Sequence, residues 1–353
     1  MNDMTSDLSS LFRNYDPARR PVIIAEAGVN HNGDLSRALS LIDVAADCGA
    51  DVVKFQAFDP DSLTASDTPT AKYQADNTGQ GNQNALLAEL ELSADDFSVL
   101  AERCHKRNIG FLCTPFDVAM TEFLVSLGMP AIKVASGELT NDPALKAFAT
   151  FGLPVILSTG MANEEEVGHA IAVLNEAGAR DITLLQCTSL YPAPPLSLNL
   201  RAIQTMRDRF GLPAGFSDHS LGDHATIAAA ALGAVVIEKH FTLDRTLPGP
   251  DHKASLEPSE LAAMITKLDE VADALGNGLK QPNPDEEATA ALVRRSWHLA
   301  RDVAEGAVLQ AEDVVLLRPA GGIPPQRDVT GLRTVRALTA GKPLSPGDVR
   351  EQE

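Results

Sequence analysis

The sequence predicts a (β/α)8 barrel followed by a small C-terminal domain. Eight short apolar runs recur along the chain, and each is followed by polar residues and then by a helical pattern. Such nearly continuous, β-branched runs are typical of strands buried on both faces of a parallel sheet. Eight strand–helix units in roughly 250 residues match a closed barrel. An open, doubly wound sheet is the alternative, but the chain contains neither a GxGxxG turn nor a P-loop.

The predicted strands fall within the first 241 residues. In order they are PVIIAEAGV (21–29), DVVKFQAF (51–58), GFLCTP (110–115), AIKVAS (131–136), PVILSTG (154–160), ITLLQCTS (182–189), PAGFSDHS (213–220) and AVVIEKHF (234–241). Three of the helices between them are expected to begin after an N-cap residue, at Ser93, Asp117 and Asn163.

The connection after the second strand is unusually long. Residues 59–92 contain turn and polar residues without strong periodicity. Long loops inside compact domains are usually functional or disordered. Because this one follows a strand end, we expect it to form a partial lid over the active rim of the barrel.

The composition changes after Leu279, where KQPNPDEEATA is polar and contains prolines, as a linker does. Short strand-like runs broken by Gly and Pro turns follow it. We therefore predict a catalytic barrel at residues 1–280, a linker at 281–290 and a small separate domain at 291–353.

The bulk composition limits the partners and the location of the protein. The 353 residues have a net charge of −19, which argues against nucleic acid and anionic membrane as partners. The four cysteines form no CxxC pair, so we expect buried free thiols. The N-terminus MNDMTSDLSS lacks the pattern of a signal peptide, and the longest apolar run is too short to cross a bilayer. We expect a cytoplasmic protein.

Polar side chains crowd the carboxyl ends of the predicted strands, the rim where barrels of this type carry out chemistry. In chain order they are Glu26, Lys54, Gln56, Thr114, Lys133, Ser136, Glu138, Ser158, Thr159, Thr188, Ser189, Tyr191, Ser217, Asp218, His219, Glu238, Lys239 and His240, with Asp251 and His252 in the next loop. A rim with only a structural role would not need so many, because burying each without a partner costs about 1–3 kcal/mol.

Two histidines of this rim form a candidate metal site. His219 and His240 end neighbouring strands, so their imidazoles can converge on one ion. Mn²⁺, Mg²⁺, Co²⁺ or Zn²⁺ would suit such a site, and Asp218 or Glu26 could orient the ion or its waters. The alternative is a histidine that serves the core or acts as a general base.

Two lysines, Lys54 and Lys133, point to the same rim and allow three interpretations. They could form buried pairs with carboxylates, or one of them could form a Schiff base, as in an aldolase. They could also bind an anion together with hydroxyl groups. The candidate hydroxyl groups belong to Thr114, Ser136, Ser158 and Ser217. Their number favours a cradle for phosphate and carboxylate over a single covalent lysine.

Nine motifs together resemble the sialic acid synthase family. They are AEAGVNHNGD, DVVKFQAF, TPFD, KVASGE, STGMA, CTSLYPAP, GFSDHSLG, EKHFTLDR and GPDHKASLEP, in the order that the family has them. The C-terminal part resembles the antifreeze-like (SAF) domain that follows the barrel in the bacterial enzymes. The joint occurrence of the motifs makes the resemblance specific, whereas each motif alone would be weak.

The resemblance implies a metal-dependent transferase that forms a C–C bond. Members of the family condense phosphoenolpyruvate with the open-chain form of an N-acetylated hexosamine, giving a nine-carbon 2-keto acid and phosphate. N-acetylmannosamine and 2,4-diacetamido-2,4,6-trideoxymannose are the candidate acceptors. By resemblance, His219 and His240 would bind the divalent metal, usually Mn²⁺. A Schiff-base aldolase using Lys54 or Lys133 and a non-enzymatic carbohydrate-binding protein are the alternatives.

The resemblance also implies roles for single residues. Phosphoenolpyruvate would be held by Lys54, Lys133, Thr114, Ser136, Ser158 and Ser217. The sugar would be contacted by Glu26, Glu138, Tyr191 and Asp251, with Glu138 as a candidate for proton transfer. Arg318 would reach the N-acyl group of the sugar from the partner subunit, which implies a homodimer with swapped SAF domains. Ser189, a further substrate contact, stands where neuraminate enzymes often have Asn, and RPAGGI replaces the commoner RPGNGI.

Overall fold

The barrel predicted from the sequence is confirmed by a computed structural model that describes residue 10, residues 12–16 and residues 19–352. Apart from Ser10, the N-terminal segment on which the expectation about a signal peptide rests lies outside these residues. The chain divides into two compact units between Asn277 and Gly278.

Eight parallel strands form the sheet of the first unit. They are β1 (Val22–Gly28), β2 (Val52–Ala57), β3 (Gly110–Pro115), β4 (Ile132–Val134), β5 (Val155–Ser158), β6 (Ile182–Cys187), β7 (Ala214–Asp218) and β8 (Val236–His240). Their order is β3-β2-β1-β8-β7-β6-β5-β4, and the end strands β3 and β4 contact each other. The sheet therefore closes on itself, and all eight carboxyl ends meet at one rim.

Helices connect these strands and cover the outside of the sheet. They are α1 (Leu35–Asp47), α2 (Pro60–Leu63), α3 (Lys72–Thr78), α4 (Gln83–Leu90), α5 (Ala94–Arg107), α6 (Val118–Ser126), α7 (Asp142–Ala149), α8 (Glu164–Glu176), α9 (Ala202–Phe210), α10 (His224–Ala231) and α11 (Pro258–Leu275). The three predicted N-caps are confirmed, since Ser93, Asp117 and Asn163 each accept a backbone N–H of the first turn.

The long connection after β2 is more ordered than the sequence predicts. It contains the three short helices α2, α3 and α4, where the absence of periodicity predicts a loop. Helix α4 begins after Asn82, whose side chain accepts from the Ala85 N–H. Seven residues pack the segment against the loops after β1 and β3: Val29, Phe58, Leu63, Leu86, Leu87, Leu90 and Phe116. Residues 59–92 are called the lid segment below.

The main core of the first unit is apolar and lies within the sheet and between the sheet and its helices. Three of the four cysteines are buried, and all four are free thiols, as the sequence predicts. Among the residues that the structure describes, no helix is long and apolar enough to cross a membrane.

The second unit begins with α12 (Glu286–Val293), which occupies part of the predicted linker. Two antiparallel pairs follow: β9 (Ser296–Leu299) pairs with β10 (Val314–Leu317), and β11 (Arg333–Thr334) pairs with β12 (Val349–Arg350). Nine buried residues make its separate core: Leu299, Val303, Leu309, Val314, Ile323, Val329, Leu332, Leu344 and Val349.

Candidate active site

Strand alternation decides which polar side chains face the inside of the barrel. Successive side chains of a strand point to opposite faces. On β8, Glu238 and His240 line the interior, whereas Lys239 points the other way. Beside it on β7, Ser217 lines the interior and Asp218 faces outward with Lys239. The register of neighbouring strands therefore places side chains that face the barrel interior next to each other.

A cavity of about 230 Å³ opens at the carboxyl ends of the strands. Strand ends and the loops after them contribute most of its polar lining: Glu26, Lys54, Gln56, Thr114, Lys133, Ser136, Ser158, Cys187, Ser189, Tyr191, Ser217, His219, Glu238, His240 and Asp251. The lid segment adds Tyr73, Gln74, Leu86, Leu87 and Leu90. Twelve of the fourteen residues predicted for the site line this cavity; the exceptions are Glu138 and Arg318.

Two lysines and two glutamates form the floor of the cavity, and all four are buried. The Lys54 Nζ lies 2.7 Å from Glu26 Oε2 and donates to Thr114 Oγ1 at 2.8 Å. The Lys133 Nζ donates to Ser158 Oγ at 2.8 Å. Both ammonium groups flank the Glu238 carboxylate, at 3.6 Å from Lys54 and 3.7 Å from Lys133.

The two glutamates of the floor differ in charge. Burial alone would raise the pKa of Glu238, but the ammonium groups of Lys133 and Lys54 hold that pKa at about 2. Burial raises the pKa of Glu26 to about 7, because Lys54 offsets its desolvation only in part and the Glu238 charge adds to it. At neutral pH Glu238 is therefore a fixed anion, and Glu26 can hold or release a proton.

The tautomer of His219 follows from its hydrogen bonds. Its Nδ1–H donates to the Thr188 carbonyl at 2.8 Å, so Nε2 accepts from the Tyr191 hydroxyl at 3.1 Å. The Tyr191 ring stacks on the His219 ring at a centroid distance of 4.1 Å. Nε2 thus faces the cavity, and a metal ion there would take the place of the Tyr191 hydroxyl on its lone pair.

The second histidine, His240, is buried, and its Nδ1 has no hydrogen-bond partner within the described part of the chain. Burial lowers its pKa well below the usual range, so the ring stays neutral. The ring centroids of His219 and His240 lie 5.4 Å apart. With metal–nitrogen bonds of about 2 Å, that spacing lets both rings reach one ion.

The donor set therefore fits a divalent cation bound by the two imidazoles in their neutral form, its other positions being left to oxygen ligands. Within the described ranges, no group of three or more His, Cys, Asp or Glu side chains is arranged to hold a metal ion by itself. Such a cation would need oxygen ligands from a substrate or water.

Close approach of three strand ends requires a glycine at position 160. The Gly160 N–H donates to Ser136 Oγ at 3.0 Å. A Cβ atom at this position would lie 2.5 Å from Ser189 Oγ and 2.7 Å from Ser136 Oγ. Only glycine brings these two hydroxyl groups together at the end of β5, which explains the glycine of the STGMA motif.

The remaining predicted residues lie in three different places. Asp251 lines the cavity, its Oδ1 has no hydrogen-bond partner among the described residues, and burial raises its pKa to about 6. Glu138 accepts instead from the Asn141 side chain at 2.7 Å, beside the cavity lining. Arg318 belongs to the second unit and is exposed there.

The fold and this cavity define a barrel enzyme, with its chemistry at the carboxyl ends of the strands. The chain belongs to the NeuB family, which residues 41–280 match, and residues 294–350 match the SAF domain. The resemblance to sialic acid synthases and the prediction of a C-terminal SAF domain are thereby confirmed.

Relatives with known names are similar over most of the chain. The N,N'-diacetyllegionaminic acid synthase of Legionella pneumophila is 44% identical and covers 91% of this chain and 92% of its own. The Campylobacter jejuni enzyme of the same name is 45% identical, with 88% and 93% covered. A crystal structure of N-acetylneuraminic acid synthetase from Leptospira borgpetersenii in complex with citrate has a TM-score of 0.69 and 38% identity, and covers 77% of this chain and 90% of that one. The prediction of an enzyme of the synthase class is confirmed.

Several lining residues have no role assigned from the sequence. Gln56, which the sequence predicts for the rim, follows Lys54 by two residues and so shares its face, and its Nε2 donates to Glu26 Oε1 at 3.2 Å. Tyr73 and Gln74 reach the cavity from α3. No periodic signal marks α3, and these two residues could be found only from the structure.

One predicted metal-site role is wrong. Asp218 faces away from the cavity and forms a fully buried ion pair with Lys239, at 2.9 Å between Nζ and Oδ2. Its carboxylate also accepts from Ser220 Oγ and from Thr226 Oγ1, each at 2.7 Å. The position one residue before His219 determines this, since alternation sends neighbouring side chains to opposite faces. Asp218 ties β7 to β8 and does not orient an ion.

Replacing Asp218 by Asn should therefore destabilise the barrel without touching the cavity. The change leaves the Lys239 ammonium buried without its counter-charge, which typically costs about 3–5 kcal/mol. Urea unfolding measures the difference. Asp223→Asn is the matched control, because it breaks an ion pair to Lys267 whose side chains are 24% and 52% exposed, and we expect a change within about 1 kcal/mol. Equal losses for both variants would contradict the structural role of Asp218.

Proposed function

We propose that the protein condenses phosphoenolpyruvate with the open-chain form of an N-acetylated hexosamine, giving a nine-carbon 2-keto acid and inorganic phosphate. The observation that carries the proposal is the cavity floor, where two buried ammonium groups lie beside two buried imidazoles whose ring centroids are 5.4 Å apart. Membership of the NeuB family and the names of the related synthases support the same reaction class.

The floor is suited to hold phosphoenolpyruvate. Lys54 and Lys133 each have a hydroxyl partner at 2.8 Å and lie more than 3.5 Å from Glu238, so both ammonium groups can turn toward an incoming anion. Ammonium and hydroxyl donors pair with phosphate and carboxylate oxygens through charge-assisted hydrogen bonds. Three further hydroxyl groups line the same cavity, those of Ser136, Ser189 and Ser217.

His219 and His240 are proposed to hold a divalent cation, Mn²⁺ in the first place. When bound, such a cation polarises a carbonyl oxygen as a Lewis acid. The Thr188 carbonyl fixes the ring of His219 so that its Nε2 faces the cavity. Hydrogen bonds of this kind set the orientation and basicity of a ligating imidazole.

The reaction forms one C–C bond and one C–O bond, the latter to the oxygen of water, and it breaks the C–O bond to phosphate. Carbon 3 of phosphoenolpyruvate attacks the aldehyde carbon of the sugar, and the aldehyde oxygen takes up a proton. Water then adds to carbon 2, and phosphate leaves by C–O cleavage. Lys54 and Lys133 are proposed to orient the phosphate and carboxylate through these steps.

Two buried carboxyl groups can take part in the proton transfers. Glu26 has a pKa of about 7 and Asp251 one of about 6, both raised by burial, so each changes protonation near neutral pH. Both line the cavity where we propose that the sugar binds. Glu138 remains a candidate from the sequence alone.

A Schiff-base aldolase is the second candidate, and one observation favours it: burial lowers the pKa of Lys133. The close hydroxyl partner of Lys133 and its neighbouring carboxylate are equally expected of an anion-binding lysine. Borohydride trapping with pyruvate separates the two, because only a Schiff base becomes covalently fixed.

Release of inorganic phosphate tests the proposal directly. The protein is incubated with phosphoenolpyruvate, Mn²⁺ and either N-acetylmannosamine or 2,4-diacetamido-2,4,6-trideoxymannose. We expect phosphate release that depends on the sugar and stops when EDTA is added. If no phosphate is released with either of the two sugars, the proposed condensation is contradicted.

The metal site is tested by His240→Ala. Loss of one imidazole should abolish binding of Mn²⁺ in isothermal titration calorimetry and abolish turnover, while the melting temperature shows that the barrel still folds. His224→Ala is the control, because His224 is an exposed histidine at the start of α10. Unchanged binding of Mn²⁺ in the His240 variant would remove this residue from the metal site.

A homodimer in the cytoplasm, with swapped SAF domains, is proposed on the resemblance, and Arg318 tests it. Arg318→Ala should raise the KM for the sugar far more than the KM for phosphoenolpyruvate. A mixture of the Arg318→Ala and His240→Ala proteins should recover activity at low sugar concentration. In each mixed dimer, one of the two sites would contain both an intact His240 and an intact Arg318. Equal effects on both substrates, or no recovery on mixing, would contradict the exchange of Arg318 between subunits.

A further inference from the structure

We propose that the lid segment selects the acceptor sugar at the end remote from its aldehyde, and that it selects a 6-deoxy sugar with a second N-acyl group. Tyr73 and Gln74 of α3 would recognise the acyl group, and Leu86, Leu87 and Leu90 of α4 the methyl groups. The inference rests on the proposed condensation and adds to it the residues that determine specificity.

The cavity has two kinds of wall. Its floor is formed by charged and hydroxyl side chains of the strands, whereas α4 adds three leucines on one side. These leucines belong to an apolar cluster with Val29 and Phe116, which also line the cavity. The cluster is separate from the main core of the barrel. Apolar side chains therefore line one side of the cavity in which we propose that the sugar binds, and Leu87 is the half-buried leucine among them.

An apolar wall discriminates between substituents at carbon 6 of the sugar. A hydroxymethyl group against it would lose water without gaining a hydrogen bond, which is unfavourable. A methyl group in the same place is removed from water with a gain in free energy. The 6-deoxy carbon and the acetyl groups of a diacetamido trideoxy sugar supply three methyl groups, and N-acetylmannosamine supplies one.

The polar part of the lid fits an acyl carbonyl. Gln74 Oε1 accepts from the Ala71 N–H at 3.2 Å, so the amide of Gln74 is oriented by its own helix. Burial and the nearby Asp251 carboxylate raise the pKa of Tyr73, so it remains a phenol at neutral pH. The pair thus has O–H and N–H donors, which a carbonyl oxygen can accept.

Hydrogen bonds and a ring contact attach the lid segment to the loops that line the cavity. Asn77 Nδ2 donates to the Pro250 carbonyl at 2.7 Å, and Lys253 Nζ donates to Asn77 Oδ1 at 2.8 Å. The rings of Tyr73 and Tyr191 stack with centroids 4.9 Å apart. These contacts fix α3 against the loop of Asp251, as a specificity element requires.

The experiment compares kcat/KM for 2,4-diacetamido-2,4,6-trideoxymannose and for N-acetylmannosamine. The wild-type protein should prefer the former by at least about 10-fold, the lower end of what a methyl pocket achieves. Leu87→Asn should lower kcat/KM for the diacetamido sugar about 10- to 100-fold. It should change the value for N-acetylmannosamine less than about 3-fold and leave the KM for phosphoenolpyruvate unchanged.

Gln74→Glu should have a similar selective effect, because a carboxylate keeps the acceptor oxygen and loses the N–H donors. It also keeps the proposal testable if Leu87→Asn does not fold. The controls are Ala88→Asn on α4, which is exposed, and Gln83→Glu at the start of α4, and neither residue lines the cavity.

Two results would overturn the inference while the condensation stands: a wild-type preference for N-acetylmannosamine, or an equal loss with both sugars in both variants. Absence of phosphate release with either sugar would be a different failure. It would overturn the condensation itself, and the inference with it.

Discussion

Four charged side chains meet on the floor of the barrel, and its two lysines share one carboxylate. Burying Lys54, Lys133 and Glu238 is unfavourable unless each charge has partners, and their mutual contacts supply them. The longer Lys–Glu238 distances, 3.6 and 3.7 Å, leave both ammonium groups able to turn toward a ligand. These contacts offset the unfavourable desolvation of the two lysines in the folded protein before any anion binds. A protein with a net charge of −19 can hold an anionic substrate on this basis.

The register of the sheet makes this arrangement possible. Glu26 lies beside Lys54 on one side and beside His240 on the other, and Ser217 lies beside Glu238. Neighbours in register on a parallel sheet point to the same face, so each inward group has an inward partner. The same rule sends Asp218 and Lys239 outward together. One set of pairs forms the reactive cavity, and the other holds β7 to β8.

The sequence predicts the barrel well because eight buried strands leave a strong, repeated apolar signal. It also predicts most of the site, since the carboxyl ends of parallel strands must share one rim. The prediction for Asp218 is wrong because a list of polar residues at strand ends does not separate the two faces of the sheet. The alternation of side chains along a strand does separate them. Helix α3 of the lid segment gives no comparable signal, because none of its residues is fully buried and Asn77 ties it to the distant Pro250 carbonyl. Tyr73 and Gln74 could therefore not be assigned to the site before the fold was known.

The cavity is lined by strand residues, to which we assign the reaction, and by lid residues, to which we assign the choice of sugar. Groups that must hold charge sit on strands, where neighbouring strands supply their partners, as with Lys54 between Glu26 and Thr114. The groups that we propose to contact the variable end of the sugar sit on short helices outside the sheet, in an apolar cluster separate from the barrel core. A change at Leu87 alters the shape offered to the acceptor but leaves the ammonium groups, the histidines and Glu238 where the strands place them. The same barrel can accordingly keep one reaction while its lid adapts to different sugars, because the two tasks depend on residues from different parts of the chain.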